Sequence, residues 1–229
     1  MIRQEDSELF KMARRQLFTA VIGDVMDKLG MRRQFLPQPI QPLQRDMVVI
    51  GRALTVLAAD FFEEVFEGSH SAISMRSFGL MLEALDDLKA DEVYVCTGAS
   101  PRFALWGELM TRRAMKCGAA GAVLDGYSRD TRGVLASRFP VFSRGSYAQD
   151  QGPRGKVVDF RVPIEMHGVR IEPGDILFGD MDGVCVVPKT AEQEVFVRAL
   201  EKARAERNVG RALDEGMTAS DAFAKYGIL

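Results

Sequence analysis

The sequence predicts an α/β protein. It should form a single domain over residues 1–229, with a central parallel-containing sheet, an antiparallel or barrel-like segment and a C-terminal helical tail. Three observations carry this expectation. From Glu92 onward, short apolar runs alternate with amphipathic stretches, which argues for βαβ units. Between Val157 and Pro188, short strand-like runs are separated by hairpin-sized turns at His167-Gly168, Pro173-Gly174 and Asp182-Gly183. From Ala191 to Arg211 a long charged stretch has helical character.

The elements follow in order. Glu5 to Gln16 reads as a polar first helix. Thr19 to Leu29 reads as a second, with Val21, Val25 and Met26 on one face and Gly30 as its stop. Prolines at 37, 39 and 42 mark a loop. Met47 to Ala58 holds a strand of β formers around Gly51. Ser69-His70-Ser71 starts an expected helix that runs to Lys89, with Ile73, Met75, Phe78, Met81, Leu82 and Leu85 on its buried side. Glu92 to Cys96 is a strand, and Gly98 opens a loop. Trp106 to Cys117 is a helix, Ala120 to Leu124 a strand, Asp130 to Ser137 a short helix and Pro140 to Phe142 another strand. Gln149 to Lys156 is a polar loop. Ser220 to Tyr226 is the last helix, after the one that starts at Ala191.

Composition narrows the function. A net charge of -2, with no block of Lys or Arg, gives no basic surface for nucleic acid. No apolar run reaches the ~20 residues that span a bilayer. The first residues lack the apolar centre of a signal peptide, so the cytoplasm is the expected location. Cys96, Cys117 and Cys185 lie far apart and read as buried free thiols. With only His70 and His167, a three-histidine zinc site is impossible. Any metal should have oxygen ligands, which points to Mg2+ or Mn2+.

Chemistry concentrates in two segments, Trp106-Gly107-Glu108-Leu109-Met110 and Asp125-Gly126-Tyr127-Ser128-Arg129-Asp130. The second begins where a strand-like run ends, and ligands of open α/β sheets sit at such strand ends. Helix starts bind anions through unpaired N–H groups, so the amides after Gly107 could bind a carboxylate. Arg129 would add a planar two-pronged donor for the same anion. Asp130 and Glu108 could then hold a metal, directly or through waters. Spacing alone favours a plainer alternative, in which Arg129 pairs with Asp130 or Glu108 as a structural ion pair.

These segments resemble the class II pyruvate aldolases, which include 4-hydroxy-4-methyl-2-oxoglutarate and 4-carboxy-4-hydroxy-2-oxoadipate aldolases and share a superfamily with RraA, the regulator of ribonuclease E. The shared pattern is Gly107, the acid Glu108, twenty residues, then Arg129-Asp130. Pro173-Gly174-Asp175 through Val187-Pro188, and Glu206 to Gly216 with Lys225-Tyr226-Gly227, resemble the same family. The resemblance implies a swivelling β/β/α fold, assembled as a homotrimer or dimer of trimers. Residues 191–229 would then pack on a neighbouring subunit.

For the site, the resemblance implies Asp130 as the protein ligand of Mg2+ or Mn2+ and Glu108 as holder of a water on that metal. Arg129 would bind a 2-keto acid and stabilise enolate charge. The amides following Gly107, those of Leu109 and Met110, would hold the substrate carboxylate. Glu206 would reach a neighbour's site, with a solvated helix face as the equal alternative. The implied activity is cleavage of a 4-hydroxy-2-keto acid to pyruvate, with oxaloacetate decarboxylation as a side activity. A non-catalytic RraA-like interaction protein is the alternative, as is an enzyme of another substrate class. That regulatory branch lacks the acid after the arginine, whereas Asp130 is present here.

Other residues get structural expectations. His70 caps or packs near a helix start, and His167 is a turn residue. Trp106 is a packing or interface anchor. Asp125 supports the turn before Arg129. Asp180 and Asp182 flank a tight turn. Arg102 is an exposed loop arginine, with contact to a second carboxylate as the alternative. The loops 98–105 and 147–155 shape the substrate pocket.

Overall fold

Twelve residues rich in β formers, Val49–Asp60, make the strand around which the sheet is arranged. The computed structural model describes residues 2–61 and 72–228. The order is α1 (Ile2–Gln16), α2 (Thr19–Lys28), β1 (Gln41–Pro42), β2 (Val49–Asp60), α3 (Met81–Asp86), β3 (Glu92–Thr97), β4 (Ala104–Trp106), α4 (Glu108–Lys116), β5 (Gly121–Leu124) and β6 (Tyr127–Ser128). It continues α5 (Thr131–Ser137), β7 (Val141–Ser143), β8 (Gly155–Phe160), β9 (Ile164–Met166), β10 (Val169–Ile171), β11 (Ile176–Asp180), β12 (Gly183–Val187), α6 (Glu192–Asp214) and α7 (Ala219–Tyr226).

The main sheet runs β1-β7-β5-β3-β2-β11-β12. Strands β2, β3, β5 and β7 are parallel, as the alternation predicts. The other edge of β2 is shared: β11 pairs antiparallel with its first residues and β8 with its last. The chain before β2 then nearly closes the sheet. Leu36 N donates to Val184 O at 2.9 Å on the β12 side, and Leu43 N donates to Val141 O at 2.9 Å on the β7 side. The barrel-like character expected only of the 157–188 segment therefore belongs to the whole sheet.

The period of two sorts side chains into separate cores. Val93, Val95, Val123, Phe142, Leu177, Val184 and Val186 face inward, where the β9–β10 hairpin adds Ile164, Met166, Val169 and Ile171. Their neighbours Tyr94, Cys96, Ala122 and Leu124 face outward under α3, α4 and α5. Ile176, Phe178, Cys185 and Val187 face a different layer made by α1, α2 and α6. Burial pushes the Cys96 thiol up to about 12, with the nearby Asp125 charge adding to the effect, and burial raises Cys185 as well. Both are the inert thiols expected, while Cys117 is half-buried.

Three expectations are corrected. The helix drawn to Lys89 is α3 alone. Residues 72–78 are turns and bends, Gly79 bridges to Val157, Met75 and Leu82 are exposed rather than buried, and the proposed start at 69–71, with His70, lies outside the described residues. Gly79 is the physical reason: it has φ +64, and a Cβ there would meet Val157 O at 2.1 Å. Leu80 N donates to that same carbonyl, so the chain is tied to β8 before a helix can start. Trp106 ends a strand rather than opening a helix, because β4 pairs with β6. The turn at Pro173-Gly174 makes no hairpin, since β11 pairs with β2 and β12 instead of β10.

The tail packs first on its own chain. Val195, Phe196, Ala199 and Ala203 of α6 are buried in the layer with α1 and α2. Arg52 of β2 ties both outer helices to the sheet, donating to Asp6 at 3.0 Å and to Glu192 at 3.1 Å. Val197 and Phe223 remain more than half exposed and available to a neighbour.

Candidate active site

The two chemistry-bearing segments meet through a small parallel sheet. Ala104 pairs with Tyr127 and Trp106 with Ser128. Arg129 N then donates to Trp106 O at 2.9 Å. Residues 108–128 are thus folded back so that Gly107 and Arg129-Asp130 stand side by side.

Trp106 fixes this junction from beneath. It is 1% exposed, with its ring stacked 6.0 Å from Phe139 and tilted 5.1 Å from Tyr94. Its Nε1 donates to Thr111 Oγ1 at 2.7 Å, and Thr111 Oγ1 donates to Gly107 O at 3.1 Å. The packing anchor expected of Trp106 thereby also sets the first turn of α4.

Gly107 is needed for space rather than for backbone freedom. Its φ of -156 is extended and open to any residue. A Cβ there would lie 2.8 Å from Asp130 Oδ2 and 3.5 Å from Arg129 Cγ. Gly107 offers α4 no capping side chain. The first amides of α4, including those of Leu109 and Met110, therefore keep their anion-binding capacity.

Asp130 is held in an unusual way. Its φ of +53 is left-handed, a region that Asp tolerates better than most residues. It occupies the N-cap position of α5, yet its carboxylate makes no cap bond there. The carboxylate turns back toward α4 instead, 3.4 Å from Glu108 N. Asp is a favoured N-cap, so an Asp that forgoes its cap bond has its side chain directed elsewhere.

Arg129 stands between two acids. Its Nη1 lies 3.0 Å from Asp150 Oδ1, and its Nε lies 3.8 Å from Asp130 Oδ2. The structural ion pair left open by spacing is thus made chiefly with Asp150. These residues line a cavity of about 450 Å3, together with Gly107, Leu109 and Met110. Gln151 also lines it, and its side-chain Nε2 is buried without a hydrogen-bond partner among the described residues.

Two predicted residues stand apart from this cavity. Glu108 accepts from Arg112 at 2.6 Å and lines a separate groove between α4 and α5. Its carboxylate rests on Gly133, where a Cβ would meet Glu108 Oε2 at 2.0 Å. Glu206 pairs with Lys202 on α6, in the layer away from α4 and α5. Lys202 also bridges to Asp24 of α2 at 3.0 Å.

Asp125 does more than support its turn. Buried at the end of β5, it accepts from Thr97 Oγ1 at 3.1 Å and Arg144 Nε at 2.8 Å, and contacts His167 Nε2 at 3.1 Å. His167 is a turn residue with φ +52, as expected. Asp180 serves its tight turn by accepting from Asp182 N, and it also accepts from Thr19 N at the start of α2. Arg102 pairs with Asp60 at 2.9 Å. Asp150 and Gln151 had no sequence signal beyond lying in a polar loop, because their meeting with Arg129 is purely tertiary.

The donor set fits a lightly held hard cation. No cluster of three His, Cys, Asp or Glu side chains suited to a metal occurs among the described residues. Mg2+ and Mn2+ need less: one or two carboxylates, with waters and substrate oxygens filling the remaining positions. Asp130, half-exposed at the cavity and not engaged in capping α5, supplies one such carboxylate.

Comparison with known proteins agrees with this architecture. The RraA-like family model, described as Aldolase/RraA, matches residues 19–186. The chain belongs to the RraA-like family. A relative from Halalkalibacterium halodurans, named "Putative 4-hydroxy-4-methyl-2-oxoglutarate aldolase", is 32% identical and covers 91% of this chain and 90% of its own. An uncharacterized protein from Pseudomonas syringae pv. tomato has a solved structure with TM-score 0.82 and 27% identity, covering 96% of this chain and 94% of its own. Streptomyces coelicolor RraAS2 shares the fold at TM-score 0.74 and 24% identity, over 88% of this RraA-like chain and 95% of its own. No helix among the described residues is long and apolar enough to cross a membrane.

Proposed function

We propose that this RraA-like protein is a divalent-cation-dependent carbon–carbon lyase that cleaves a 4-hydroxy-2-keto acid to pyruvate. One observation carries the reading: Arg129, the first turn of α4 after Gly107 and the turned-back carboxylate of Asp130 converge on one cavity. The name borne by the Halalkalibacterium relative supports the same chemistry.

Asp130 is the residue that would hold Mg2+ or Mn2+. Such an ion supplies Lewis acidity toward the keto and carboxylate oxygens of the substrate. The amides of Leu109 and Met110 bind the substrate carboxylate. Arg129, kept in place by Asp150, binds the keto acid and stabilises charge as the enolate develops. Loss of the 4-hydroxyl proton turns C4–O into a carbonyl and breaks the C3–C4 bond. The bond pair stays on C3, which is then protonated to give pyruvate.

Glu108 orients the water that accepts the hydroxyl proton. To do so its carboxylate leaves Arg112, whose side chain is 70% exposed. An exposed pair at that helical spacing contributes only about 0.5 kcal/mol, so the rotation costs little. Oxaloacetate would yield the same enolate by losing CO2, as a side activity.

We further propose a homotrimer or dimer of trimers, in which Glu206 approaches a neighbour's site. Val197 and Phe223, more than half exposed on the helical tail, are the kind of residues a second copy would cover. A monomeric mass in solution would overturn the assembly. The activity test is pyruvate release from 4-hydroxy-2-oxopentanoate, 4-hydroxy-4-methyl-2-oxoglutarate and oxaloacetate, with Mg2+, Mn2+ or excess EDTA. Turnover that EDTA abolishes and Mg2+ or Mn2+ restores is expected. No metal-dependent turnover of any of the three would overturn the reading.

A further inference from the structure

The wall of the Arg129 cavity says which substrate end it suits. Away from Arg129 and Asp130, that wall is built by Phe78, Met81, Leu82, Leu85, Leu109 and Met110. The two guanidinium groups on it are already matched. Arg129 lies 3.0 Å from Asp150, and Arg113 lies 2.7 Å from Asp86, both acids lining the same cavity. Among the described residues of the wall, no cation is left without a carboxylate. The unsatisfied donor there is neutral, the Nε2 of Gln151, which is 4% exposed overall.

We propose that the cavity selects 4-hydroxy-2-keto acids whose C4 substituent is apolar and uncharged, against those that carry a second carboxylate. This rests on the aldolase reading above. A second carboxylate laid against α3 and Leu109 would lose its water and gain no unpaired cation. An alkyl or aryl group there loses only unfavourable hydration. The neutral amide of Gln151 suits an uncharged oxygen of the substrate, such as the 4-hydroxyl. Cleavage as written above then releases pyruvate and an apolar aldehyde or ketone, with no further reactant needed.

The test uses two probes of similar size, 4-methyl-2-oxopentanoate and 2-oxoglutarate, which differ beyond C3 in an isopropyl group against a carboxymethyl group. Each is titrated calorimetrically into the full-length protein with Mg2+, beside pyruvate. The isopropyl compound should bind at least about tenfold more tightly, equivalent to about 1.4 kcal/mol. Leu82 is 55% exposed, so Leu82→Arg should fold and should shift the ratio toward 2-oxoglutarate. Absence of pyruvate binding would overturn the aldolase reading itself. Pyruvate binding with 2-oxoglutarate bound as tightly as its partner would overturn the selectivity alone. An unchanged ratio in Leu82→Arg would overturn the role of that wall.

Discussion

Replacing Gly107 with alanine isolates the contact that sets the site. The new Cβ would lie 2.8 Å from Asp130 Oδ2, where ordinary contact begins at 3.4 Å, so the carboxylate must retreat by about 0.6 Å. Backbone strain does not enter, because φ -156 suits alanine. Stability should therefore fall by less than about 1 kcal/mol, a Tm change of no more than about 4 °C for a chain of this size. Reacting groups misplaced by about 1 Å can cost about a hundredfold in rate. A retreat of about 0.6 Å should then lower kcat/KM by about ten- to a hundredfold. Pyruvate release is followed with lactate dehydrogenase and NADH, Mn2+ affinity by titration, and Tm by circular dichroism. Wild-type kcat/KM and Mn2+ affinity with an unchanged Tm would refute the claim that Gly107 makes room for a metal-holding Asp130.

Other outcomes follow from neighbouring contacts. Thr111→Val removes the acceptor of the buried Trp106 Nε1, so it should lower stability by about 1–3 kcal/mol in urea melts; an unchanged midpoint would deny that anchor its weight. Glu108→Gln should cut kcat by at least about a hundredfold, whereas Arg112→Ala, which frees the carboxylate, should not lower it; equal losses in both would tie Glu108 to structure instead. Asp150→Asn should raise KM about fivefold with kcat kept, because a half-exposed pair contributes about 1 kcal/mol at most; an unchanged KM would count against Asp150 as the brace of Arg129. Iodoacetamide should label Cys117 first in the native protein, while Cys96 and Cys185 react only on unfolding; mass spectrometry finding equal native labelling would contradict their burial.

Much of the fold was legible because its signals are local. The short apolar runs in 92–97, 121–124 and 183–187, and the helical spacing in 19–28 and 192–214, depend on neighbours a few residues away. The same holds for Gly107 and the Arg129-Asp130 pair, which are words in the sequence. The helix expected up to Lys89 failed where a distant carbonyl, that of Val157, captured the backbone at Gly79 and Leu80. Trp106 became a strand residue because Ser128 lay beside it.

By itself the sequence determined an α/β chain with a parallel sheet, a helical tail, inert thiols and a short stretch carrying Gly107, Arg129 and Asp130. Only the tertiary structure decided that the sheet nearly closes into a barrel, that Asp150 rather than Glu108 partners Arg129, and that α3 and Leu109 give the cavity an apolar wall. The reason is physical. Strand and helix patterns arise from side-chain spacing along the chain, whereas ion partners and cavity walls arise from segments more than twenty residues apart, whose approach is set by packing of the whole core.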